Sequence, residues 1–192
     1  MIVLGVDPGT ATTGYGVVRS NTPGQTALVE CGVIRTRARD PLSSRLREIF
    51  DGLQELIVRH APDVMSVEDV FYAKNVRTTV VLGHARGVIL LAGELAGVRI
   101  HEMPPAEIKK AVTGTGAATK EQVQFMLTRL LRLKSAPAPS DAADGVAAAL
   151  AYCLGAHMAA ISARGALPLP ARPRVMSGPS AAVPGGASGG AP

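Results

Sequence analysis

Three strand-like runs come before the first helical one, and from there strands and helices alternate. No other feature of this chain narrows its fold as much. Ile2, Val3, Leu4 and Val6 open a strand over about 2–7. Further runs follow over about 14–19 and 27–35, with Gly14 and the Pro23-Gly24 pair as turn signals between them. Turns this short predict a three-stranded meander. A helix is expected over about 42–60, where Leu42, Leu46, Ile49, Phe50, Leu53, Leu56 and Ile57 recur at helical spacing and Pro62 stops the run. Then come a strand at 64–70, a long helix at 76–96, a strand at 98–101 and a short helix at 105–112 opened by Pro104-Pro105. Thr119 and Gln122 form a capping box for a helix carrying Val123, Met126, Leu127, Leu130 and Leu131. A last helix spans about 141–162. The expected fold is α/β, a five-stranded mixed sheet flanked by helices. A right-handed crossover makes its first and fourth strands neighbours.

The segment 163–192 has a different character. It holds six prolines, six glycines, no acids and the arginines Arg164, Arg172 and Arg174. It is expected to be a disordered basic tail beyond a single domain at 1–162, because it has too little apolar surface to offset its ordering entropy. Much of the net charge of +5 belongs to it, since the body holds 17 basic residues against 15 acidic ones. Gly145 to Ala163 approaches the length of a membrane span, but its alanines and glycines gain little from lipid. A buried helix packed close against the sheet is expected there, and no membrane partner. Cys31 and Cys153, the only cysteines, both sit in apolar runs, and no basic leader precedes Ile2. A cytoplasmic protein is the expectation.

Four carboxylates stand where chemistry is plausible. Asp7 ends an apolar strand, where losing the hydration of its charge is costly. Glu68 lies near the end of the fourth strand, and Asp141 and Asp144 share one face of the last helix. If the first and fourth strands are neighbours, Asp7 and Glu68 lie side by side, and the last helix can bring its pair to them. Such a cluster stays ionised only with cations between its members. All-oxygen ligands favour Mg²⁺ or Mn²⁺ over zinc. Plainer readings stand beside this one. Asp7 can close an Asx turn with Gly9, and Asp141 and Asp144 can serve the helix N-terminus. Glu68 and Asp69 point to opposite faces of their strand. Spacing favours Glu68 for the site, since Asp69 beside Val70 and Phe71 more easily reaches solvent, but leaves that choice open. Phe71 and Tyr72 adjoin these acids, and Lys74, Arg77, Arg86, Lys109, Lys110 and Lys120 surround them in sequence. An aromatic there serves either the core or base stacking; a lysine or arginine serves either solvent or a phosphate.

The motifs GVDPGTATTGYGVV, VEDVFYAKN, LGHARGV and SDAADGVAAAL, in this order across 1–162, resemble the RuvC family of bacterial Holliday junction resolvases. The resemblance implies a ribonuclease-H-like fold and a homodimer. It also implies symmetric, metal-dependent cutting of a four-way DNA junction to 5′-phosphate and 3′-hydroxyl nicks. It places the metal-binding, catalytic acids on Asp7, Glu68, Asp141 and Asp144, choosing Glu68 over Asp69. It implies Mg²⁺ or Mn²⁺, two ions per subunit. One ion, between Asp7 and the last helix, would activate water; the other, between Asp7 and Glu68, would stabilise the departing 3′ oxygen. The family's aromatic wedge falls on Phe71, and its junction-flanking lysines on Lys109 in EIKKAVTG and Lys120 in GAATKEQV. Tyr72 and Arg77 are expected to touch DNA as well. RuvA and RuvB, the branch-migration proteins, are the implied partners. Two symmetric cuts suit two sites related by a two-fold axis. The 76–96 helix is expected to form much of the subunit interface, since it is apolar on more than one face and has Gly83, Ala85 and Gly87 for close approach. Three alternatives follow from the same residues: a nuclease of this fold cutting RNA in hybrids, a sugar-kinase or actin-like ATPase, and a catalytically silent junction-binding protein.

Overall fold

A computed structural model describes residues 1–22, 25–69 and 76–165. Its strands are β1 (Ile2–Asp7), β2 (Thr12–Ser20), β3 (Thr26–Arg35), β4 (Val64–Glu68) and β5 (Arg99–Met103). Its helices are α1 (Leu42–His60), α2 (Val76–Leu95), α3 (Pro105–Thr113), α4 (Lys120–Leu130) and α5 (Ser140–Gly165). The strands form one sheet in the order β3-β2-β1-β4-β5. β1, β2 and β3 pair antiparallel as the expected meander, while β4 lies parallel to both β1 and β5. β4 stops at Glu68, two residues short of expectation, and β5 runs on to Met103 because its ladder with β4 continues to the Glu68–Met103 pair. α5 continues to Gly165, past the expected end at 162. The Pro23-Gly24 turn and the remainder of the tail lie outside the described residues.

Alternation along the strands sends two sets of side chains to two cores. Leu4, Val6, Val17, Met65 and Val67 pack against Ile49, Leu53 and Leu56 of α1 and Ala85, Ile89 and Ala92 of α2. Val3 and Val18 face the other way, toward α3, α4 and above all α5. α5 buries Ala142, Ala143, Val146 to Ala151 and Cys153. It is long and apolar enough to span a bilayer, as is α2, but here that surface is spent on the sheet. The small residues set how closely it docks. Gly5 and Gly16 are cross-strand partners, as are Asp7 and Gly14. A methyl group on Gly5 would run into the Gly145 carbonyl, and one on Gly14 into the Asp141 carbonyl. One on Gly16 would lie 2.5 Å from the Val146 Cα, and one on Gly145 2.6 Å from the Tyr15 Cα. Backbone thus rests on backbone along this face.

Candidate active site

That close docking assembles the acidic cluster. β1 delivers Asp7 at its last residue, and Gly14 opposite it on β2 leaves room for the first turn of α5. Asp141 and Asp144 descend from that turn. One carboxylate oxygen from each of Asp7, Asp141 and Asp144 lies within 4.8 Å of the others. Glu68 ends the parallel neighbour β4. It shares its strand face with Ser66, which pairs across to Gly5, and so points to the α5 side of the sheet. Glu68 stands outside the tight group of three but lines the same cleft, of about 280 Å³, with Asp7, Asp144, Pro105, Ile108, Lys109, Lys120, Val123 and Ala147.

The turn after β1 is held in place from outside. The Thr13 hydroxyl donates to the Gly9 carbonyl at 2.7 Å, and the Thr36 hydroxyl to the Thr10 carbonyl at 2.6 Å. Asp7 stands in the carboxylate cluster, which favours that reading of it over an Asx turn with Gly9. Asp69 turns to the opposite face, where its carboxylate pairs with Arg86 of α2 at 3.1 Å. Arg86 also pairs with Glu102 of β5 and does not line the cleft, unlike the phosphate role considered for it from sequence.

The basic residues divide in the same way. Lys120, at the start of α4, reaches across to Asp144 with its Nζ 2.9 Å from Oδ2. The capping box fixes that helix start: the Thr119 hydroxyl accepts from the Gln122 N–H, and the Gln122 side chain accepts from the Thr119 N–H. Lys109 lines the cleft, whereas Lys110 faces a separate groove between α3 and α5. Arg77 is exposed in the first turn of α2 and is not part of the cleft lining. Phe71, Tyr72 and Lys74 lie outside the described residues. Pro105, Ile108, Val123 and Ala147, which form the apolar walls, were not assigned to the site from sequence. Their signal was there in helical spacing: Val123 follows Lys120 by one turn and Ala147 follows Asp144 by one turn.

The acids repel one another. Burial, then the charges of Asp144 and Asp141, push the Asp7 carboxyl up to about 7, against a partial offset from Lys120. Burial, then Asp7 and Asp144, push Glu68 to about 8, with Lys120 and Lys109 opposing. The hydrogen bond to Asp144 raises Lys120 in turn. The donor set fits a hard divalent cation, because among the described residues every anionic group lining the cleft is a carboxylate and no histidine or thiol stands with them. Such a cation would relieve the repulsion.

A pH dependence follows. Between the ordinary carboxylate range and about pH 8, the folded state holds protons on Asp7 and Glu68 that the unfolded chain has released. Stability from these two groups is therefore greatest below about pH 4 and is lost as pH rises toward 8. In metal-free protein, Asp7→Asn is expected to melt several degrees above the parent at pH 8, at about 2–4 °C per kcal/mol, and level with it at pH 4. Thermal melts in chelator across this range test it. An equal gap at both pH values would show that Asp7 is not strained by charge.

The family model for crossover junction endodeoxyribonuclease RuvC matches residues 3–152. The crossover junction endodeoxyribonuclease RuvC of Pelotomaculum thermopropionicum is 45% identical over 152 residues, covering 79% of this chain and 92% of that protein. That of Brevibacillus brevis is 47% identical over 152 residues, covering 79% and 91%. Among solved structures, Thermus thermophilus RuvC in complex with Holliday junction substrate is similar with a TM-score of 0.79 and 34% identity, over 83% of this chain and 96% of that one.

Proposed function

Because this chain belongs to the RuvC family of crossover junction endodeoxyribonucleases, we infer that it resolves four-way DNA junctions by metal-dependent hydrolysis, with Asp7, Glu68, Asp141 and Asp144 as its catalytic acids. One observation carries the assignment of residues: three carboxylates meet within 4.8 Å at the ends of β1 and α5, with Glu68 and two lysines around the same cleft. Asp7, Asp141 and Asp144 would hold one Mg²⁺ or Mn²⁺, and Glu68 together with Asp7 a second. Cations bound there supply an activated water and stabilise the leaving oxygen of a phosphodiester. The protein's own groups do the rest. Lys120 neutralises Asp144 and, with Lys109, presents ammonium groups to a backbone phosphate entering the cleft. Pro105, Ile108, Val123 and Ala147 wall the cleft with apolar surface, which strengthens each charge interaction inside. Phe71 and Tyr72, beside the site in sequence, are assigned to stacking on bases unpaired at the crossover, with Arg77 holding a nearby phosphate. The products are 5′-phosphate and 3′-hydroxyl nicks.

The family assignment leaves the ATPase alternative without support. The test against the other two is direct. The chain is incubated with Mn²⁺ or Mg²⁺ and a mobile synthetic four-way junction, a linear duplex or an RNA–DNA hybrid. Paired symmetric nicks in the junction alone are expected; cutting of the hybrid alone would overturn the substrate, and tight binding without cutting would overturn the enzyme.

Two symmetric cuts call for two sites, and α2 offers a surface for pairing two subunits. Val80, Gly83, His84, Gly87, Val88 and Leu91 line a shallow groove with Leu46 of α1. A side chain added at Gly83 or Gly87 would meet nothing within 4 Å. Leu91 is 51% exposed in the single subunit. A homodimer through this face is the proposed assembly, acting in the cytoplasm with the branch-migration proteins RuvA and RuvB. Sedimentation at micromolar concentration is expected to give a dimer for the parent and a folded monomer for Leu91→Glu. A parent that sediments as a monomer would overturn the assembly.

A further inference from the structure

We propose that Arg86 positions Glu68 for cutting by clamping the next residue, Asp69, to the opposite face of the sheet. The proposal rests on the assignment of Glu68 to the nuclease site. Glu68 is the last residue of β4, and its pairing with Met103 is the last rung of the β4–β5 ladder. Just beyond that rung the Asp69 N–H donates to the Met103 carbonyl at 2.9 Å. Glu68 is also pushed from within the cleft by the charges of Asp7 and Asp144. A residue at a strand end, under repulsion, keeps its direction only if its neighbour is fixed.

Arg86 fixes the neighbour. Its Nη2 lies 3.1 Å from Asp69 Oδ1, and the same nitrogen pairs with Glu102 on β5. The Arg86 side chain is only 23% exposed, and its Nε is buried with no hydrogen-bond partner among the described residues. A guanidinium so little exposed is oriented by the carboxylates that pair with it, and removing one leaves its charge with one partner fewer. Consecutive strand residues point to opposite faces. Holding Asp69 toward α2 therefore holds Glu68 toward α5 and the cleft. Arg86 is not among the residues that line the cleft and would act through Asp69, so it is a positioning residue.

The test uses the full chain and measures single-turnover cutting of a mobile junction at saturating protein, across a Mn²⁺ titration. The parent, Arg86→Ala, Asp69→Asn and the double variant are compared, with junction affinity and thermal melts measured in parallel. Arg86→Ala is expected to cut about 10–100-fold more slowly and to need more Mn²⁺ for half-maximal rate. Its junction affinity should stay within about threefold of the parent. If Arg86 acts through Asp69, the double variant is no slower than Arg86→Ala. A merely structural role would lower the melting temperature and leave the Mn²⁺ requirement unmoved, which would overturn the proposal. So would a cutting rate within about threefold of the parent, or losses that multiply in the double variant. Should Arg86→Ala fail to fold, Asp69→Asn alone decides on the same readouts, since Asp69 is 42% exposed and asparagine keeps its shape. A parent that cuts no junction would overturn the nuclease reading itself, an outcome distinct from any difference among variants.

Discussion

Asp7→Asn is expected to slow junction cutting by about a thousandfold or more while leaving junction binding within a few-fold of the parent. Asp7 sits between the two sides of the cluster, on the strand next to Glu68 and against the α5 pair. It is grouped with Asp141 and Asp144, and it raises the Glu68 carboxyl. Asparagine keeps the shape and removes the charge, so the α5 pair and Glu68 no longer share a common anion between them. The lysines proposed to meet DNA are untouched, since Lys120 keeps its partner Asp144. Single-turnover cutting in Mn²⁺ and a binding titration in Ca²⁺ or chelator separate the two effects. Normal cutting by the variant would mean that the cluster is misread.

The second large effect is on folding. Gly145 and Gly155 lie on the same helix, and the same substitution should act on them in opposite directions. An alanine methyl at 145 would sit 2.6 Å from the Tyr15 Cα, a backbone atom in the middle of the sheet that cannot move aside alone. At 155 the methyl would meet nothing within 4 Å. Gly145→Ala is therefore expected to destabilise the domain by about 4 kcal/mol or more, as severe overpacking does. It should also displace Asp141 and Asp144 from Asp7, and so abolish cutting in whatever fraction remains folded. Gly155→Ala is expected to stabilise by about 0.5–1 kcal/mol through helix propensity. Urea unfolding of the two variants beside the parent checks both. Equal midpoints for parent and Gly145→Ala would show that α5 does not dock as described.

The sequence makes the elements legible because their signals are local. Helical spacing in α1, the capping box before α4 and the prolines around α3 are each read within a few residues. The adjacency of β1 and β4 follows from the handedness of crossovers. What escapes a sequence reading is whatever depends on register between distant segments. Gly5, Gly14 and Gly16 alternate along their strands, but their purpose appears only once α5 is laid across them. Spacing favoured Glu68 over Asp69 but left the choice open. In the structure Glu68 lies on the face that meets α5 and Asp69 on the face that meets Arg86, which supports it. Arg86 itself looked like one more basic residue near the acids, because an internal ion pair and a phosphate contact draw on the same side chain. Lys109 and Lys110 are adjacent in sequence and part only through the orientation of α3.

The cluster draws on both ends of the domain, and this bears on how the protein is made. A ribosome releases the amino-terminal strands first, and domains begin to organise from that end. Asp7 and Glu68 emerge early, on a sheet whose glycine-lined face is still bare. Asp141 and Asp144 arrive only with α5, the final described element. A nascent chain, or one whose translation stops before Ser140, carries half of the acids and no closed cleft. On the proposed assignment of the four acids, the ability to nick DNA therefore arises late in synthesis.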